Sequence, residues 1–175
     1  MIMTFHETIM NRCLEIANNA FGQTTPNPMV GCVLVFENKI IGEGYHQQAG
    51  EAHAEINAIN SVENKNLIPL STLYVSLEPC SHYGKTPPCC ERIVQEGIKK
   101  VVVGTIDTYA DVNGKGISFL QQNNVEVVAP LLNDACRTLN RRFFTFHEKH
   151  RPYIILKWAQ SADGFIAPEN AQQQY

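Results

Sequence analysis

The chain has 175 residues, of which 44% are hydrophobic and 18% charged, and it carries a formal net charge of −3. That size and balance describe one soluble globular domain whose core needs no disulfide or metal merely to fold, and they exclude a disordered or fibrous chain. The mild acidity argues against nucleic-acid binding by phosphate neutralisation and leaves a small phosphorylated ligand open. The opening residues lack the basic and then apolar run of a secretory leader, and the longest apolar stretch, 29–36, is interrupted by Gly31. It falls far short of the roughly 20 residues that span a bilayer. The expectation is therefore a cytoplasmic protein without membrane contact, whose six cysteines are reduced and serve as buried residues, metal ligands or catalysts.

In chain order, apolar residues at helical spacing (Phe5, Ile9, Cys13, Ile16, Ala17, Ala20) predict a helix over 4–21, stopped by Gly22. Two prolines make 24–28 a rigid loop. Strands follow at 30–36 and 40–45 around a turn at 37–39, then a helix at 52–62 and a strand at 73–77. A loop leads to a helix at 89–97, a strand at 101–103, a helix at 117–123, a strand at 125–129 and one long helix over 133–148. Strands alternating with helices predict a layered α/β fold around a largely parallel sheet. After Pro152, residues 153–159 read as one more strand and 161–164 as a turn, either an extra edge strand or the opening of a second domain.

The chemistry concentrates in His53-Ala54-Glu55, Pro79-Cys80 and the pair Cys89-Cys90. One imidazole and two thiolates supply three ligands of a tetrahedral zinc ion and leave a fourth position for water. Glu55, two residues from the histidine, is placed to move a proton between such a water and a leaving group. His53 and Cys89 each open a predicted helix, so two positive helix ends would face the ion. Either segment alone would read as an ordinary helix start or a buried thiol; together and in this order they match the deaminase pattern of His-x-Glu followed by Pro-Cys and a second Cys. Spacing alone leaves Cys89 and Cys90 both open as the last ligand, since neighbours on a helix point in different directions. Asn113-Gly114-Lys115-Gly116 before a helix could meet an anion through backbone N–H groups or be a simple turn. Arg137, Arg141 and Arg142 read as a solvated helix face or a contact to another domain or subunit.

The run from Thr25 to Cys90 resembles the deaminase domain of the bifunctional riboflavin-biosynthesis deaminase/reductases, within the cytidine-deaminase-like superfamily. The resemblance rests on Thr25-Pro26-Asn27-Pro28-Met29-Val30-Gly31, on His53-Ala54-Glu55, and on the run from Leu77 to Cys89 with its long insert between the cysteines. Superfamily members acting on cytidine, guanine or tRNA adenosine mostly carry Pro-Cys-x-x-Cys instead. The fold it implies is a three-layer α-β-α sandwich with a mixed, mostly parallel five-stranded sheet. It implies one Zn2+ per chain on His53, Cys80 and Cys89, Glu55 as the catalytic proton carrier, and substrate contacts from Asn27, His46, His82, Lys85 and Asp107. The implied reaction is hydrolytic deamination of 2,5-diamino-6-ribosylamino-4(3H)-pyrimidinone 5′-phosphate, a small phosphorylated pyrimidine. The family pattern Asp-Pro-Asn-Pro is departed from at Asp107-Thr108-Tyr109-Ala110, where Tyr109 stands in place of the asparagine.

The deaminase pattern is complete by about residue 150, and 151–164 resembles the first strand and turn of the family's NADPH-dependent reductase domain. The expected division is a zinc-dependent deaminase domain over 1–150 and a linker plus the start of a truncated reductase domain over 151–175, with NADPH serving only that second domain. A homo-oligomer is compatible with the sequence. Two rivals remain: a superfamily deaminase acting on a nucleoside, a free base or tRNA, for which a short Cys-x-x-Cys loop is expected, and a non-catalytic zinc-binding module in which Glu55 is incidental.

Overall fold

A computed structural model describes residues 3–83, 87–109, 112–162, 164 and 166. Thr4 opens helix α1 (Phe5–Ala17) through a capping box with Glu7, and Ile9, Met10, Cys13, Ile16 and Ala17 form its buried face. Strand β1 (Gly31–Phe36) is buried along its first five residues. Glu37 and Asn38, both at positive φ, turn the chain into β2 (Lys39–Tyr45), which pairs antiparallel with β1. Helix α2 (Ala54–Ser61), β3 (Thr72–Val75), α3 (Cys89–Gln95), β4 (Lys100–Val103), α4 (Lys115–Gln122) and β5 (Glu126–Val128) follow at the expected places.

The five strands form one sheet in the order β2-β1-β3-β4-β5. Pairs β1/β2 and β1/β3 are antiparallel while β3/β4 and β4/β5 are parallel, so the mixed sheet is parallel over half of its pairs rather than most of them. Alternate residues face opposite sides. Cys32, Leu34, Leu73, Val75, Val101 and Val103 pack with α2, α3 and α4, whereas Val33, Val35, Tyr74 and Val102 pack with α1 and with Cys136 of α5 (Asn133–Leu139). These are the three layers of the expected sandwich. Helix α2 lies so close to the sheet that a Cβ on Gly44 would stand 2.2 Å from the Ala58 backbone nitrogen. That contact fixes the start of α2, and with it His53 and Glu55, against the sheet.

Two expectations at the C-terminal side are corrected. The helix over 133–148 is two helices, α5 and α6 (Arg141–Lys149), broken at Asn140. The Asn140 side chain accepts from the Met29 N–H and donates to the Met29 carbonyl, both at 2.8 Å, and its backbone (φ −104°, ψ 27°) departs from the helix to do so. Residues 153–159 form no strand: among the described residues they have no ladder partner, and every side chain along them is exposed. Among the described residues no helix is long and apolar enough to cross a membrane.

Candidate active site

His53 is the residue immediately before α2, Cys80 lies five residues beyond β3, and Cys89 is the first residue of α3. Their donor atoms all lie within 4.8 Å of one another, with His53 Nδ1 at 3.5 Å from Cys80 Sγ and 3.4 Å from Cys89 Sγ. A tetrahedral zinc ion with ordinary Zn–N and Zn–S bonds places nitrogen and sulfur about 3.6 Å apart. The three residues therefore fit such an ion as they stand. Cys90 points elsewhere, its thiol 3.3 Å from the Pro79 carbonyl and 3.6 Å from that of Gly116, and burial pushes its pKa up. The geometry thus joins Cys89, and not Cys90, to the cluster.

The charges agree with that fit. Hydrogen bonding from Cys89 and then from His53 draws the Cys80 thiol down to about 4. The Cys80 sulfur in turn lifts His53 to about 9 and, together with burial, pushes Cys89 well up. One thiolate forms readily; a second beside it needs a cation to share, and a divalent ion supplies that. Glu55, in the first turn of α2, is 3% exposed, and its carboxyl is raised to about 7 by burial first and by the neighbouring Cys80 charge second. An acid poised near neutrality can both take up and give back a proton.

The loop that carries Cys80 is held by a buried carboxylate that the sequence reading passed over. Glu78 Oε2 accepts from the N–H groups of Asp107 (3.2 Å) and Gly114 (2.9 Å), and Oε1 from those of Gly116 (2.9 Å) and Ile117 (3.3 Å). The turn at 113–116 does meet an anion, and that anion is Glu78 of the same chain; these N–H groups are not free for a phosphate. A Cβ on Gly116 would stand 2.1 Å from the Pro79 carbonyl oxygen, so this residue in the first turn of α4, packed on the loop that carries Cys80, has room only for hydrogen. The signal available in the sequence was a carboxylate one residue before Pro79-Cys80 and a Gly-x-Gly turn, with nothing to connect them across more than thirty positions.

A cavity of about 990 Å³ opens over the cluster, lined by Asn27, His46, His53, Glu55, Cys80, His82 and Asp107 among others. Every expected site residue is therefore gathered here except Cys89, which joins His53 and Cys80 in the cluster without lining the cavity, and Lys85, which lies outside the described residues. His46 donates from Nδ1 to the Ala52 carbonyl (3.1 Å), and burial lowers its pKa, so the neutral ring accepts at Nε2 from the Asn27 amide (3.1 Å). That leaves Asn27 Oδ1 as an acceptor with no partner among the described residues. Asp107 is raised to about 6, chiefly by burial, and accepts from the Tyr109 N–H at 2.8 Å. Tyr109 stands edge-on to His82 on one side and to His147 of α6 on the other, with centroids 6.3 and 5.2 Å apart. The residue that breaks the family pattern is thus part of the cavity wall.

The family model for the cytidine and deoxycytidylate deaminase zinc-binding region matches residues 3–105. The riboflavin biosynthesis protein RibD of Aquifex aeolicus is 45% identical over 167 residues, which is 95% of this chain and 46% of that protein. The diaminohydroxyphosphoribosylamino-pyrimidine deaminase of Buchnera aphidicola is 44% identical over 135 residues, covering 77% of this chain and 90% of the relative. The crystal structure of a diaminohydroxyphosphoribosylaminopyrimidine deaminase/5-amino-6-(5-phosphoribosylamino)uracil reductase from Thermotoga maritima superposes with a TM-score of 0.88 at 42% identity, over 94% of this chain and 47% of that one. The chain spans about half the length of the RibD relatives it matches. With the family match, the Buchnera relative and the His/Cys/Cys cluster at the mouth of α2 and α3 in agreement, the chain belongs to the cytidine and deoxycytidylate deaminase family, on the branch of the diaminohydroxyphosphoribosylaminopyrimidine deaminases.

Proposed function

We propose that this chain catalyses the hydrolytic deamination of 2,5-diamino-6-ribosylamino-4(3H)-pyrimidinone 5′-phosphate, replacing the 2-amino group by oxygen with consumption of one water and release of one ammonia. The observation that carries this reading is the buried Glu55, its carboxyl poised at about 7, beside the converging His53, Cys80 and Cys89 at the base of a cavity. Those three residues would hold one zinc ion per chain, which would supply an acidified water at neutral pH. Glu55 takes one proton from the attacking water and passes it to the ring nitrogen, then carries the second proton, from the newly added hydroxyl, to the amine that departs as ammonia. Asn27, fixed between Pro26 and Pro28 and anchored by His46, offers its free oxygen to an N–H edge of the ring. His82 and Asp107, which also line the cavity, supply further polar contacts, and the family resemblance adds a cationic one from Lys85.

The long Cys80-to-Cys89 insert supports this substrate over cytidine, guanine or tRNA adenosine. Residues 151–175 are read as a linker and the beginning of a reductase unit such as the one named in the Thermotoga protein, to which NADPH would belong. Exposed Ile154, Ile155, Leu156 and Trp158 suit packing against further structure. A cytoplasmic location accords with this reading. The test is ammonia release from the phosphorylated diaminopyrimidinone, cytidine and guanine in parallel. The phosphorylated compound should exceed both others in kcat/KM by about a hundredfold or more. A preference for cytidine or guanine would move the chain to another branch, and no ammonia from any of them would leave a zinc module without catalysis.

A further inference from the structure

The cavity lining carries more acids than permanent cations. It includes the buried acids Glu55, Glu78 and Asp107, with Glu78 Oε2 accepting from the Asp107 N–H. Helix α6 lines the same cavity with Arg142, Phe143, Phe146 and His147, which share one helical face. The arginines of 137–142 are not alike. Arg137 pairs with Glu148 at 2.6 Å and lies over the Phe144 ring, and Arg141 donates to the Thr138 carbonyl at 3.2 Å. Arg142 has no hydrogen bond or ion pair among the described residues; its guanidinium stands 5.6 Å from the centre of the Phe21 ring, which also lines the cavity. It is the one permanent cation in the lining among the described residues, and the exposed Glu51 is the remaining acid there.

Its place is set by the fold. Asn140, two residues earlier, clamps the start of α6 to the Met29 backbone, on the loop that carries Asn27. A ring held between Asn27 and the cluster therefore has α6 within the same cavity, whose volume of about 990 Å³ exceeds the needs of a pyrimidine alone. We propose that Arg142, steadied over Phe21 and with His147 farther along the same helical face, is the subsite that recognises the substrate's phosphate ester. The inference rests on the deaminase reading above and adds to it the group that selects a phosphorylated ligand. A guanidinium matches two phosphate oxygens at once, which a solvated lysine does not.

The test compares kcat/KM for the phosphorylated diaminopyrimidinone and for its dephosphorylated riboside in the wild type, Arg142→Gln, Arg142→Lys and Arg141→Gln. The preference for phosphate should fall about tenfold or more in Arg142→Gln, fall less in Arg142→Lys, and persist in Arg141→Gln. Calorimetric binding of ribose 5-phosphate, which needs no turnover, should weaken in the same order. A preference and an affinity unchanged in Arg142→Gln, or an equal loss on both substrates, overturns the assignment. If the wild type releases no ammonia yet binds ribose 5-phosphate through Arg142, the deaminase reading fails and the subsite stands.

Discussion

Glu55→Gln should keep one zinc ion per chain and lose about a thousandfold in turnover, a loss within the range measured for removing a general acid–base group. The substitution is nearly isosteric, and the three donors His53, Cys80 and Cys89 remain where they are. Folding should not suffer, because burial is the main influence opposing the ionised form of Glu55, and a neutral amide does not meet that opposition. What the amide cannot do is accept a proton from water and return it to an amine. Metal content and ammonia release measured on one sample separate the two effects: turnover within tenfold of the wild type would remove Glu55 from the chemistry, and loss of zinc would make it a support of the cluster.

Glu78→Ala should produce the largest loss of stability of any single substitution around the site. Truncation leaves the N–H groups of Asp107, Gly114, Gly116 and Ile117 without their carboxylate, in a region where Gly116 is already in contact with the Pro79 carbonyl. The Asp107 and Gly116 donors are buried and those of Gly114 and Ile117 half-buried; at about 1–3 kcal/mol for each buried donor left unsatisfied and less for the other two, the total is roughly 4 kcal/mol, a large part of the 5–15 kcal/mol that holds a typical domain together. Thermal unfolding should show a fall in Tm of about 10 °C or more, with Glu78→Gln, which keeps one oxygen, in between. A fall of less than about 3 °C would mean that water satisfies those groups and that the cradle is incidental.

The layers of the fold were legible because the periodic signals are local. Thr4 and Glu7 mark the start of α1, and the alternation of Leu73, Tyr74 and Val75 between two cores makes β3 readable as a buried strand. The His53/Glu55, Cys80 and Cys89 pattern was legible for a similar reason: each piece is a short motif at the start of an element. What escaped were devices whose partners are remote. Asn140 looks like an ordinary helical residue until Met29, 111 positions away, offers both its N–H and its carbonyl. Glu78 finds its donors 29 to 39 positions later. The strand reading of 153–159 erred in the opposite direction, because an apolar run has strand propensity but a strand exists only with a neighbour to pair with. The parallel share of the sheet was overestimated because β1 pairs antiparallel on both sides, a fact of topology that no local pattern encodes.

Deamination by this chain should depend on a metal ion held at the His53, Cys80 and Cys89 cluster. The most direct measurement returns zinc stepwise to protein stripped by a chelator and follows ammonia release from 2,5-diamino-6-ribosylamino-4(3H)-pyrimidinone 5′-phosphate. The rate should rise in proportion to bound zinc and level off at one ion per chain. Full activity in the stripped protein, or no ammonia at saturating zinc, would mean that this cluster is not the seat of the reaction.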